Sequence, residues 1–201
     1  MTEHALRLVS DRTDADLARA EHAVFELLVA LGTDVSRPEL ADTPARVVRA
    51  YAELLAEPPC ELTTFPNDEG YDELVVTRDL PFVSLCEHHL LPFVGVAHVG
   101  YLPARRIIGL SKIARVVERF VRRLQVQERL TSQVADWLDT QLAPRGVGVV
   151  LSAEHSCMSL RGVRAAGATT VTSALRGQLR DDERSRSEFL KLTGISTRSC
   201  T

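Results

Sequence analysis

Ser111-Lys112-Ile113-Ala114-Arg115-Val116-Val117-Glu118-Arg119-Phe120-Val121-Arg122-Arg123-Leu124 sets Ile113, Val116, Val117, Phe120, Val121 and Leu124 on one helical stripe and Lys112, Arg115, Arg119 and Arg122 on another. The apolar stripe predicts a helix laid on a core. A second helix is predicted over residues 128–142, with Leu130, Val134, Trp137, Leu138 and Leu142 along one side. Strand-like stretches stand on both sides of this pair, over residues 73–80 and 93–102 before it and 147–155 and 168–175 after it. The order strand, strand, helix, helix, strand, strand predicts an antiparallel sheet with both helices on one face, an α+β arrangement. A last helix over residues 183–192 closes the domain.

Upstream, residues 14–31 read as an amphipathic helix ended by Gly32. Thr43-Pro44 opens another through Leu55, with Thr43 as the cap and Pro44 in the first turn, and Glu57-Pro58-Pro59 stops it. Residues 60–70 then read as a loop, so the chain is expected to divide into an N-terminal helical segment, 1–70, and a main domain, 71–201. With 201 residues, 45% of them hydrophobic, and no apolar run of spanning length, the chain is expected to be a globular protein without a membrane partner. A net charge of −3 gives no whole-protein field for nucleic acid. Met1-Thr2-Glu3-His4-Ala5 lacks a basic start followed by an apolar run, which points to a reducing compartment and a cytoplasmic location.

Two distant stretches, Cys86-Glu87-His88-His89 and His155-Ser156-Cys157, together offer two thiols and three imidazoles. Structural zinc is normally closed by four protein ligands, whereas catalytic zinc keeps three and leaves a position for water. Cys86, His89 and Cys157 make such a set of three. In an extended strand Cys86 and His89 would fall on opposite faces, so they converge only if the chain turns between them. The strand ending at His155 would put His155 and Cys157 on one face, one for metal and the other for substrate. Read singly, a cysteine is usually a small buried hydrophobe and a histidine a satisfied polar residue, and that reading is kept for Cys60, Cys200, His4, His22 and His98. A closed structural site would need a fourth donor, for which His88 is the candidate.

Lys112 and Arg115 follow Gly109-Leu110-Ser111 at the start of the first core helix. There Ser111 can cap, and free N–H groups favour an anion. Cations at a helix start oppose its dipole, so their placement points to a bound phosphate.

The ordered set Cys86-Glu87-His88-His89, Ile108-Gly109-Leu110-Ser111-Lys112, Gln125-Val126-Gln127-Glu128-Arg129-Leu130, His155-Ser156-Cys157-Met158 and Arg161-Gly162-Val163 resembles GTP cyclohydrolase I, from about Asp42-Thr43-Pro44 to the last helix. The resemblance implies the tunnelling fold and stacked rings forming a homodecamer. It implies conversion of GTP and water to 7,8-dihydroneopterin triphosphate and formate, the first step towards pterins and folate. By the same resemblance, Cys86, His89 and Cys157 hold zinc, which activates the water attacking C8 of the guanine. His88 and His155 then handle protons as the ring opens. Glu128, with Gln127 beside it, corresponds to the guanine anchor. Ser111, Lys112, Arg115 and Arg161 correspond to the triphosphate grip, with Arg46 and Arg49 as weaker additions; the family often has lysine where Arg49 stands.

Spacing alone leaves Glu128 equally a dipole-favoured carboxylate at a helix start and Arg46 and Arg49 equally residues of an exposed helix face, while for Arg161, before the turn residue Gly162, a solvated arginine is commoner than a phosphate ligand. Two thiolates and one neutral imidazole formally cancel the charge of Zn²⁺, so the acidity lent to water is blunted and neighbouring acid–base residues must make up the difference. A pyruvoyl-tetrahydropterin synthase would use three histidines for zinc, and a nitrile reductase of queuosine synthesis would use a cysteine nucleophile without this zinc set. The remaining alternative is a paralogue that binds a purine or pterin without turning it over.

Overall fold

The computed structural model describes residues 14–194. His4 and Cys200 lie outside them. The described chain separates into two compact units, up to Glu57 and from Pro58 onward, so the division falls at the Glu57-Pro58-Pro59 stop, earlier than residue 70. The first unit holds helices α1 (Asp14–Ala30) and α2 (Thr43–Leu54), with a short 3-10 turn at Pro38–Leu40. Gly32 ends α1 in the left-handed region, at φ 78°, donating its N–H to the Val29 carbonyl. Thr43 is not the cap of α2: it is the first helical residue, Asp42 stands before it, and no side chain caps the end. Phe25, Leu27 and Val29 remain exposed along α1, and Leu31 just beyond its end.

The second unit runs β1 (Thr64–Pro66), β2 (Val75–Cys86), β3 (Pro92–Leu102), β4 (Arg106–Ile108), α3 (Leu110–Val121), β5 (Leu124–Gln125), α4 (Gln127–Leu142), β6 (Gly146–His155), α5 (Ser156–Ser159), β7 (Thr169–Gly177), α6 (Gln178–Asp181) and α7 (Glu183–Leu192). Its sheet has the order β5-β2-β3-β6-β7, antiparallel throughout except for β5, which runs parallel to β2 over two residues; β1 and β4 form a separate pair. This is the expected α+β arrangement. Val147, Val149, Leu151 and Ala153 alternate along β6 and are fully buried in one core with Ile113, Val116, Val117, Leu130, Val134 and Leu138 of α3 and α4.

The opposite face of β6 is covered too. Val150 packs there with Leu102, Leu179 and Phe189, a smaller core under α6 and α7. Gly100 and Gly148, paired in register across β3 and β6, lie beneath the Phe189 ring, where a Cβ would come within 2.8 and 2.6 Å of ring carbons. The last helix therefore closes the sheet through a ring seated on two glycines.

Two element ends near Cys86 differ from expectation. Strand β2 does not stop at Leu80 but continues to Cys86, passing a register shift between Thr77 and Leu80 with Asp79 left-handed at φ 56°. Pro81 is tolerated because β5 reaches only Leu85 and Cys86, so β2 is an edge strand at that point. Helix α3 ends at Val121, and Leu124 leaves the helical stripe to enter β5.

Candidate metal centre

The end of β2 delivers Cys86 to a tight turn. The Cys86 carbonyl accepts from the His89 and Leu90 amides, at 3.3 and 2.8 Å, and its N–H donates to the Leu91 carbonyl at 2.9 Å. Leu90, at φ 56°, reverses the chain into β3. The turn required by the spacing is present, and it brings His89 Nδ1 to 3.6 Å from Cys86 Sγ. It is braced from β5: the Glu87 amide donates to the Gln125 carbonyl at 3.0 Å, and Arg129 joins the Glu87 carboxylate, Gln125 Oε1 and the Leu124 carbonyl. The Arg129 guanidinium holds the Glu87 carboxyl below the ordinary glutamate range.

Cys157 arrives differently from expectation. Strand β6 ends at His155, and Ser156–Ser159 form a single helical turn closed by the Leu160 amide on the Ser156 carbonyl, 3.0 Å. Cys157 and His155 therefore do not share a strand face; the turn sets where the thiol goes. Cys86 Sγ, His89 Nδ1 or Nε2, and Cys157 Sγ all lie within 4.8 Å of one another. Tetrahedral zinc, with Zn–S about 2.3 Å and Zn–N about 2.0 Å, needs donors roughly 3.5–3.8 Å apart. The 3.6 Å between Cys86 and His89 already meets that. Burial raises the Cys157 thiol pKa, and the neighbouring Cys86 sulfur raises it further. A cation between the sulfurs would remove the cost of the paired thiolates. Cys86, Cys157 and Cys60 are all free thiols.

Phe93 pairs in register with His155 and stacks on its ring, centroids 4.7 Å apart and planes 5° from parallel. His155 Nε2 lies 2.8 Å from Gln127 Oε1. Burial lowers the His155 pKa, and the Glu128 carboxylate works against that by raising it. Glu128 is exposed in the first turn of α4, close enough to act on His155, and its carboxylate makes no hydrogen bond among the described residues. Gln127 is buried, with its polar atoms engaged inside the chain. His88 is exposed with Nδ1 3.9 Å from Cys86 Sγ, beside the donor triad.

The phosphate-type residues divide. Arg161, exposed after α5, donates to the Cys157 carbonyl at 3.4 Å and so stands next to the metal donors. Lys112 and Arg115 surround the half-buried Cys60 together with Arg119, and their positive field opposes the rise that burial gives its thiol pKa. Ser111 does not cap α3; the helix begins one residue earlier, at Leu110, after an extended Gly109 with no side-chain cap. Arg115 falls beyond the first turn. Arg46 and Arg49 are exposed on α2 in the first unit, Arg46 paired with Asp42 at 3.0 Å.

Sequence reasoning missed Phe93, Thr131 and Thr172. Phe93 could be placed beside His155 only by knowing the β3–β6 register. Thr131 and Thr172, joined at 2.7 Å, belong to α4 and β7 and come together only in the fold.

Residues 20–194 match the family model of GTP cyclohydrolase I. A GTP cyclohydrolase 1 of Mycobacteroides abscessus is 58% identical over 88% of this chain and 89% of its own. That of Mycobacterium ulcerans is 55% identical over 96% of this chain and 98% of its own. Among solved structures, the archaeosine synthase QueF-Like in the apo form covers 53% of this chain and 94% of its own, at 15% identity and a TM-score of 0.43.

Proposed function

The chain belongs to the GTP cyclohydrolase I family, and from that premise we propose that it converts GTP and water to 7,8-dihydroneopterin triphosphate and formate at a zinc centre held by Cys86, His89 and Cys157. The observation that carries this reading is the convergence of two thiols and one imidazole, from a β-turn and a helical turn, two residues from the half-buried His155. Three donors leave a coordination position for water. When bound there, zinc would supply Lewis acidity and a water acidic enough to react near neutral pH.

His155, whose pKa burial lowers, takes a proton as the imidazole ring of the guanine opens. His88 faces solvent and exchanges protons with it. The Glu128 carboxylate, acceptor only and without a hydrogen bond among the described residues, receives the N–H groups of the guanine. Arg161, Lys112, Arg115 and Ser111 grip the triphosphate, with Arg46 and Arg49 as weaker contributors. The chain assembles as a homodecamer, in which the exposed apolar residues of α1, Phe25, Leu27 and Val29, serve subunit packing. We place the protein in the cytoplasm; among the described residues no helix is long and apolar enough to cross a membrane.

The test is to incubate purified, zinc-loaded protein with GTP and follow formate together with the fluorescent oxidised pterin. Both products are expected. Formate alone would refute the rearrangement and reclosure, and neither product would favour a binding paralogue.

A further inference from the structure

Gln127 has its hydrogen-bonding fixed from four sides. Its Nε2 lies 2.9 Å from the Thr170 carbonyl, 3.3 Å from the Leu151 carbonyl and 3.0 Å from Thr172 Oγ1. Two of these are backbone carbonyls, which only accept, so the amide cannot be turned over: its NH₂ must face them and its Oε1 must face His155. The hydroxyls leave no slack either. Thr131 Oγ1 donates to the Gln127 carbonyl at 2.7 Å, which uses its only proton. In the 2.7 Å contact between the two hydroxyls Thr172 is therefore the donor. With its own proton committed, Thr172 Oγ1 can only accept from Gln127. The proton order runs one way around a closed loop, from Gln127 Nε2 to Thr172, to Thr131 and back to the Gln127 carbonyl.

Oε1 of Gln127 is then a pure acceptor 2.8 Å from His155 Nε2, and that nitrogen must carry a proton. We propose that Gln127, oriented by the Leu151 and Thr170 carbonyls with Thr172 beside them, is a positioning residue that holds His155 in its Nε2–H form and leaves Nδ1 as the nitrogen with the free lone pair. Phe93, stacked 5° from parallel, prevents the ring from turning over to exchange the two nitrogens. Gln127 thereby acts through His155 and not on the guanine. The catalytic consequence rests on the reading of His155 as the proton-transfer group; the tautomer itself does not.

The experiment uses the full zinc-loaded protein with ¹⁵N-labelled histidine, its His155 signals identified by their loss in His155→Asn, in solid-state NMR at about pH 8, where an ordinary imidazole is neutral. Wild-type His155 is expected to show a protonated Nε2 and a bare Nδ1. Gln127→Met, which removes the acceptor, should bring up the Nδ1–H form and lower kcat for formate release roughly 10–100-fold, the usual cost of losing an orienting partner, with KM for GTP little changed. Thr172→Val, which leaves both backbone carbonyls on the amide, should keep the Nε2–H form. The wild-type tautomer, together with that of Thr172→Val, carries the test if Gln127→Met fails to fold. An Nδ1–H form in the wild type or in Thr172→Val, an unchanged tautomer in Gln127→Met, or a raised KM at constant kcat in Gln127→Met would overturn the proposal. A wild-type protein that released no formate would overturn the functional reading and the positioning role with it, even where the spectra kept the Nε2–H form.

Discussion

Replacing Gly148 by alanine tests how the last helix closes the sheet. A Cβ at Gly148 would meet three carbons of the Phe189 ring at 2.6, 2.7 and 2.8 Å. Ordinary carbon contacts sit at about 3.5–4.0 Å, so the ring or the strand must yield by roughly 1 Å. The ring has nowhere to go: Phe189 is fully buried and packed among Leu102, Val150 and Leu179. Overpacking of this kind costs about 1–3 kcal/mol. Urea unfolding of Gly148→Ala should therefore show a lowered midpoint with little change in slope. Phe189→Leu, which removes ring atoms at a cost of its own, should recover part of the loss when combined with Gly148→Ala, giving a coupling of about 0.5–3 kcal/mol in a double-mutant cycle. Full additivity of the two changes, or a Gly148→Ala protein as stable as wild type, would refute the seating of Phe189 on the two glycines.

At the metal centre, Cys157→Ser should abolish zinc uptake and formate release together, whereas His155→Ala should keep one zinc per chain and lose formate release, both followed by metal analysis beside the product assay. Lys112→Ala and Arg161→Ala should raise KM for GTP by roughly 10–100-fold, the loss of a charge-assisted hydrogen bond, while guanosine is handled no worse than before; equal effects on both substrates would remove these residues from the triphosphate grip. His98 supplies a pH test away from the metal. It is buried, its Nδ1 accepts from the Asp79 amide at 3.3 Å, and burial lowers its pKa against the opposing pull of the Asp79 carboxylate 3.9 Å away, with Arg78 adding to the fall. Because the unfolded chain takes up this proton near the ordinary pKa of about 6.5 and the folded chain takes it up only at lower pH, stability should decline as pH falls below that value. His98→Gln should flatten this part of the pH–stability curve, and an unchanged slope would contradict the assignment.

The helix pair and the four long strands were legible because their apolar positions repeat at periods set by backbone geometry, 3.6 or 2, whatever the tertiary contacts. The Cys86–His89 turn was legible for the same reason, since two donors three residues apart cannot meet on a straight strand. What period and spacing could not carry is where one local geometry hands over to another. At Arg78-Asp79 a bulge keeps β2 alive past two charged residues and a proline, so Cys86 stands at the end of a strand and not in a loop. At Ser156 the alternation of β6 gives way to one helical turn, and an argument from strand faces misplaces Cys157. Ser111 has the chemistry of a cap, but the extended Gly109 lets the helix start at Leu110. Phe93, Thr131 and Thr172 form part of the His155 environment through contacts between distant strands and a helix, which leave no local trace in the chain.

The most direct measurement is to strip the protein of metal with a chelator and return zinc in steps, following formate and pterin released from GTP per chain. Turnover absent from the stripped protein, rising with added zinc and levelling at one zinc per chain, is the result predicted for a single centre at Cys86, His89 and Cys157. Undiminished turnover in the metal-free protein, or zinc bound at one per chain without either product, would contradict it.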